Sequence, residues 1–168
     1  MQTLKTMGCL ALITACFAGC STSSSTGKNG KKAEDEVTLR IHEEANSSLP
    51  TETFRTVEIP NTGVKLTVDI FPALTERDVQ SAELYDTAGG KAIFLRFDPH
   101  GTVMLDQITT RDRGQYLMIF LNNHPVGTWF VDQRITNGQF LVEGDFTDEA
   151  AGKAVEALNK LSKKNSKP

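Results

Sequence analysis

The sequence predicts an α+β domain, a mostly antiparallel sheet with two main helices packed on one face. Three observations lead there. Two pairs of alternating segments, 54–59 with 64–70 and 82–86 with 92–97, are each joined by turn residues, which is the pattern of β-hairpins. Asp98-Pro99 opens a segment with an apolar stripe that Gly114 closes, and an Asp cap with Pro at the first position starts a helix well. The run from Ile135 to Leu161 reads as a turn, a buried strand and a capped amphipathic helix.

That closing unit is the most strongly specified. Phe140 and Val142 are two apart and so share one face of a strand; the run stops at Gly144-Asp145. Thr147 or Asp145 caps the helix that follows, with Asp148 and Glu149 in its first turn, where the dipole favours negative charge. Ala151, Ala154, Val155, Leu158 and Leu161 recur at helical spacing, and Lys160, Lys163 and Lys164 suit the other end.

Upstream, Val37 to Glu44 alternates at Val37, Leu39 and Ile41 and admits a short helix or a strand, and stable order is expected to begin near Phe54. His42, followed by two glutamates, reads as a surface residue. Pro60-Asn61-Thr62-Gly63 turns the first hairpin and Pro72 ends it. Leu74 to Val79 suggests one helical turn capped by Thr75. The second hairpin turns at Thr87 to Lys91. Its Gly-Gly-Lys lacks the earlier Gly and the following Ser/Thr of a phosphate loop, so it reads as a glycine turn with positive φ.

Met104, Leu105 and Ile108 form the stripe of the first helix, and His100 in its first turn reads as exposed. Tyr116 to Leu121 is an almost continuous apolar run, as expected of a strand covered on both faces. Asn122-Asn123-His124-Pro125 then turns the chain into Val126 to Val131, which carries Trp129, and His124 reads as a turn residue.

A length of 168 residues allows one domain with accessory segments, and a net charge of −3 argues against a general nucleic-acid binder, which needs a basic footprint. At the N-terminus Lys5 precedes the apolar stretch Met7 to Ala15, followed by Cys16-Phe17-Ala18-Gly19-Cys20-Ser21. This resembles a bacterial lipoprotein signal peptide: a charged start, an h-region too short to span a bilayer comfortably, and small residues before a cysteine. Ala18-Gly19-Cys20-Ser21 fits the commonest form, with Phe17 in place of the usual Leu; Ile13-Thr14-Ala15-Cys16 also fits, with a shorter h-region. Cys20 is preferred as the lipidated residue. All three cysteines lie in this segment, so cleavage at Cys20 would leave no internal disulfide and no catalytic thiol. Ser21, where Asp would favour inner-membrane retention, implies the periplasmic face of the outer membrane.

The resulting organisation is a signal peptide over 1–19, a lipidated Cys20 with a polar tether over 20–50, a single domain over 51–164 and a polar tail over 165–168. About 110 ordered residues suffice for one core without disulfides. Ser21 to Glu36 is Gly/Ser/Lys-rich and without periodicity, as a flexible tether should be.

Residues 73 to 162 resemble the head of the first periplasmic domain of SecD, a membrane protein that assists export. The features that carry the resemblance are Leu74-Thr-Glu-Arg-Asp-Val79, a strand and a helix reaching Thr109 or Thr110, and Gly114 before the strand Leu117 to Leu121. The same order continues through Ile135-Thr136-Asn137-Gly138, Val142-Glu143-Gly144-Asp145-Phe146-Thr147 and an Ala-rich helix with Glu149-Ala150. The resemblance implies the fold and a capacity to contact polypeptide, and it carries no catalytic residues over. SecD bears its head on a chain with six membrane spans, whereas no segment of spanning length follows Cys20 here, so this chain is not expected to be an export motor by itself.

No H-x-x-x-H, C-x-x-C or G-x-S-x-G occurs, and His42, His100 and His124 lie far apart. Asp145, Asp148 and Glu149 are close enough to suggest Ca²⁺, but helix-start acids are the simpler reading. No catalytic residue, metal or cofactor is expected. The expected function is that of a non-catalytic, lipid-anchored envelope protein that binds a partner protein or extended polypeptide. The alternatives are an envelope hydrolase with a site assembled in space, and a passive scaffold.

Overall fold

The computed structural model describes residues 37–45 and 51–165, which fall within one compact unit. In chain order the strands are β1 (Leu39–Glu43), β2 (Phe54–Glu58), β3 (Lys65–Asp69), β4 (Leu74–Thr75), β5 (Val79–Thr87) and β6 (Gly90–Phe97). Helix α1 (Pro99–Arg111) follows, then β7 (Tyr116–Leu121), β8 (His124–Phe130), β9 (Gln139–Glu143) and helix α2 (Asp148–Asn165). The strands form sheets ordered β4-β1-β7-β8, β5-β6-β9 and β2-β3, and every pairing is antiparallel. The predicted α+β class is the one observed.

Local chemistry explains the element boundaries. Asp98 accepts Gly101 N at 2.7 Å with Pro99 at the helix start, and the Asp112 N–H bonds Ile108 O at 2.9 Å at the end. Asn122 and Asn123 both take positive φ, 51° and 64°, the geometry of a type I′ hairpin turn. His124 is therefore the first residue of β8 and not part of the turn. Residues 76–78 form the expected single turn. Thr75 accepts from Arg77 N, and the Asp78 carboxylate returns to Thr75 N at 2.8 Å.

Strand β7 divides its residues between two cores, one on each face of the four-stranded sheet. Leu39, Ile41, Leu117, Ile119 and Leu121 join Ala82, Ile93, Leu95, Phe140 and Val142 of the three-stranded sheet. Leu105 and Ile108 of α1 and Ala151, Ala154 and Leu158 of α2 complete this main core. On the other face Met118 and Phe120 meet Leu66 and Val68 of the β2–β3 hairpin. The hairpin also meets the end of β1 through a Glu44–Val68 bridge and Ala45 N to Thr67 O at 2.8 Å.

The two larger sheets join at a backbone crossing. Ile119 pairs with Gly127 but Phe120 with Pro125, so Val126 bulges out of the ladder. Its carbonyl accepts Asp145 N at 2.7 Å. A Cβ on Gly144 would lie 2.4 Å from Val126 O, and one on Gly127 2.6 Å from Glu143 O. Both positions require glycine.

The domain boundary differs from the expected one. Leu39 to Glu43, assigned from sequence to the tether over 20–50, is a strand held between β4 and β7. Leu39 and Ile41 are buried because they face the main core, so the fold starts upstream of residue 51. The segment read as a signal peptide, Cys16 and Cys20, residues 21–36 and 46–50 of the expected tether and residues 166–168 lie outside the described residues.

Candidate functional site

The most unusual polar arrangement sits under the hairpin. His42 was expected at the surface, yet it is 1% exposed, because it projects from the face of β1 that the hairpin covers. Its Nδ1 donates to the Asp69 carbonyl at 2.8 Å, and Arg55 Nη2 donates to its Nε2 at 3.3 Å. Since a carbonyl only accepts and a guanidinium only donates, these contacts define a neutral, Nδ1-protonated imidazole. The ring stands edge-on to Phe120, centroids 5.0 Å apart, and the Arg55 guanidinium lies 4.4 Å over the same Phe120 ring. Burial pushes the His42 pKa below its ordinary value. The Asp69 carbonyl bond opposes that shift, and the charges of Arg55 and Arg40 reinforce it.

A second cluster gathers Asp78, Asp98 and His100, whose ligand atoms lie within 4.8 Å of one another. One His and two carboxylates could hold a divalent cation. Their existing bonds account for them otherwise. Asp78 Oδ2 accepts Thr75 N and Oγ1, Asp78 Oδ1 faces His100 Nδ1 at 2.9 Å, and Asp98 caps α1. The His100 side chain is 73% exposed. The cluster ties two capped turns together.

The remaining sequence candidates separate. Thr147 rather than Asp145 caps α2, with Ala150 N on Thr147 Oγ1 at 3.2 Å. Asp148 and Glu149 occupy its first turn, and Glu149 pairs with Lys153 at 2.7 Å. His124 is exposed at the start of β8. The three histidines do not meet. Sequence reasoning missed the burial of His42 and the Asp78–His100 pair. The alternation of Val37, Leu39 and Ile41 already placed His42 on the opposite strand face. Thr75-x-x-Asp78 is itself a capping pattern.

Strand edges are the other candidate surface. At β5 the outward groups of Ala82 are taken by the Asn159 amide, 2.9 Å to N and 2.8 Å to O, and Ser162 donates to Gln80 O. Helix α2 thus covers the start of that edge, at Gln80 and Ala82. The outer edge of β2 differs. Ile59 N bonds Val64 O and Ile70 N bonds Thr53 O, and alternation from these pairs turns the N–H and C=O of Phe54, Thr56 and Glu58 outward. Among the described residues no hydrogen bond reaches those backbone groups, and no helix is long and apolar enough to cross a membrane.

These surfaces define an antiparallel α+β domain whose polar clusters serve capping and packing and whose β2 edge is open among the described residues. The SecDF P1 head subdomain family matches residues 51–160, and the chain belongs to that family. One similar solved structure is of a membrane component SecDF that enhances protein export. It is 21% identical with a TM-score of 0.55, over 74% of this chain and 62% of that one. A second, SecDF in a super-membrane-facing form, is 21% identical with a TM-score of 0.54, over 74% of this chain and 19% of that one. This chain therefore spans less than two thirds of either structure, and the likeness is one of fold. Comparison with curated protein sequences finds no match.

Proposed function

We propose that this chain is a non-catalytic, lipid-anchored protein of the cell envelope that uses its P1-head domain to hold an extended polypeptide or a partner protein. Cys20 serves as the anchor and the periplasmic face of the outer membrane as the location. The observation that carries the binding reading is the β2 edge. Three outward-facing residues offer backbone donors and acceptors for an added strand. Membership of a family described by a SecDF subdomain supports an envelope setting.

The test is binding of a fluorescent, unfolded polypeptide to the full chain, followed by anisotropy. Micromolar affinity is expected, about −8 kcal/mol. Thr56→Pro removes an outward N–H without touching the β2–β3 ladder, so it should weaken binding several-fold while the hairpin stays intact. His100→Ala, His124→Ala and Asp148→Ala should leave binding unchanged. If one of those side chains proves indispensable and Thr56→Pro is silent, the strand-addition reading gives way to an enzyme or metal site.

A further inference from the structure

We propose that the β2–β3 hairpin is a proton-sensitive flap over the Met118–Phe120 face of the sheet, and that His42 is its latch. This does not depend on what binds the β2 edge. The hairpin is held by a small core of its own, Leu66 and Val68 against Met118 and Phe120, separate from the main core. It can therefore lift while the helices and the three-stranded sheet remain packed. Beyond that cluster, the Glu44–Ala45 contacts and the Arg55 guanidinium over the Phe120 ring, the described residues attach the hairpin through the imidazole. One ring nitrogen bonds β3 through Asp69 O, and the other accepts from β2 through Arg55.

The charged groups around His42 decide the sign. From β2 comes Arg55, within hydrogen-bond distance of Nε2. From β3 comes Asp69, whose carbonyl faces the ring while its carboxylate accepts Phe71 N at 3.0 Å. On β1 itself, Arg40 adds positive charge and Glu44 is turned to Tyr116 N at 2.8 Å. From β7 come Met118 and Phe120, neither titratable. Protonation converts Nε2 from acceptor to donor. Two donors and two positive charges then face each other, one of them on a ring that is 1% exposed. Lifting the hairpin hydrates the imidazolium and separates it from Arg55.

The closed form thus binds the proton less readily than the open form. Closure is strongest above the ordinary histidine pKa and is lost as pH falls from there toward the lowered value of the docked state. A single proton changes the opening constant by at most about tenfold per pH unit.

Amide hydrogen exchange on the full chain, expressed as protection factors at pH 7.5 and pH 5.0, reads this directly. Ala45 N is bonded to the hairpin, and an undocked two-stranded hairpin is marginal in water. Protection at Ala45, Val57 and Leu66 should therefore fall several-fold on acidification while Leu95 and Phe140 hold. In His42→Phe the fall should vanish. A wild-type hairpin whose protection does not change, or an equal fall in His42→Phe, overturns the proposal. Should His42→Phe fail to fold, imidazole titration in the unaltered chain decides. His42 must titrate below the ordinary histidine value, and titration at or above that value overturns the latch.

Discussion

The two faces of the four-stranded sheet are built from the same strands and put to different physical use. On one face Leu39, Ile41, Leu117, Ile119 and Leu121, none more than 6% exposed, close against the helices and the second sheet. The side chains of that face are held by burial and dispersion, which involve no titrating group. On the other, Arg40 and His42 alternate with them along β1, and His42, Met118 and Phe120 lie beneath a two-stranded hairpin. There a buried imidazole depends on two particular hydrogen bonds. A thick apolar face makes a scaffold, and a thin face with a titratable group makes a part that can move without it.

Four substitutions sharpen or break this contrast, in falling order of effect. Phe140→Ala opens the main core and should cost about 3–5 kcal/mol, read as a drop in the global urea midpoint. Val68→Ala should cost about 2 kcal/mol, with its effect confined to hairpin amides in hydrogen exchange. If it lowers the global midpoint as Phe140→Ala does, the two faces form one cooperative unit. Asn159→Ala strips the β5 edge of its amide partner and should cost about 1–2 kcal/mol. Polypeptide binding gained by that variant would show that β5 also accepts a strand. Gly152→Ala, with open space at its Cβ position inside α2, should raise stability by about 1 kcal/mol, read as a higher urea midpoint, and a loss there would mean the helix face is not free.

An exposed ion pair gives a contrasting baseline for the helix. Lys153→Ala removes the exposed ion-pair partner of Glu149 and should leave the melting temperature unchanged within error.

By itself the sequence determined the elements whose causes are local. Both hairpins, the Asp98-Pro99 helix start, the doubly covered β7 and the strand–helix unit from Phe140 to Leu158 are written in period, caps and turns, each acting within a few residues. Family resemblance was legible because those signals recur in a fixed order. Only tertiary structure decided what Leu39 to Glu43 does. The strand exists because Leu121 to Leu117, about eighty positions away, pair with it. A five-residue alternating run surrounded by polar sequence gives no local indication of that partner. The same pairing placed His42 under the hairpin, where Asp69 and Arg55 complete its hydrogen bonds. Burial of a polar side chain is set by what lies across from it, and that neighbour comes from another part of the chain.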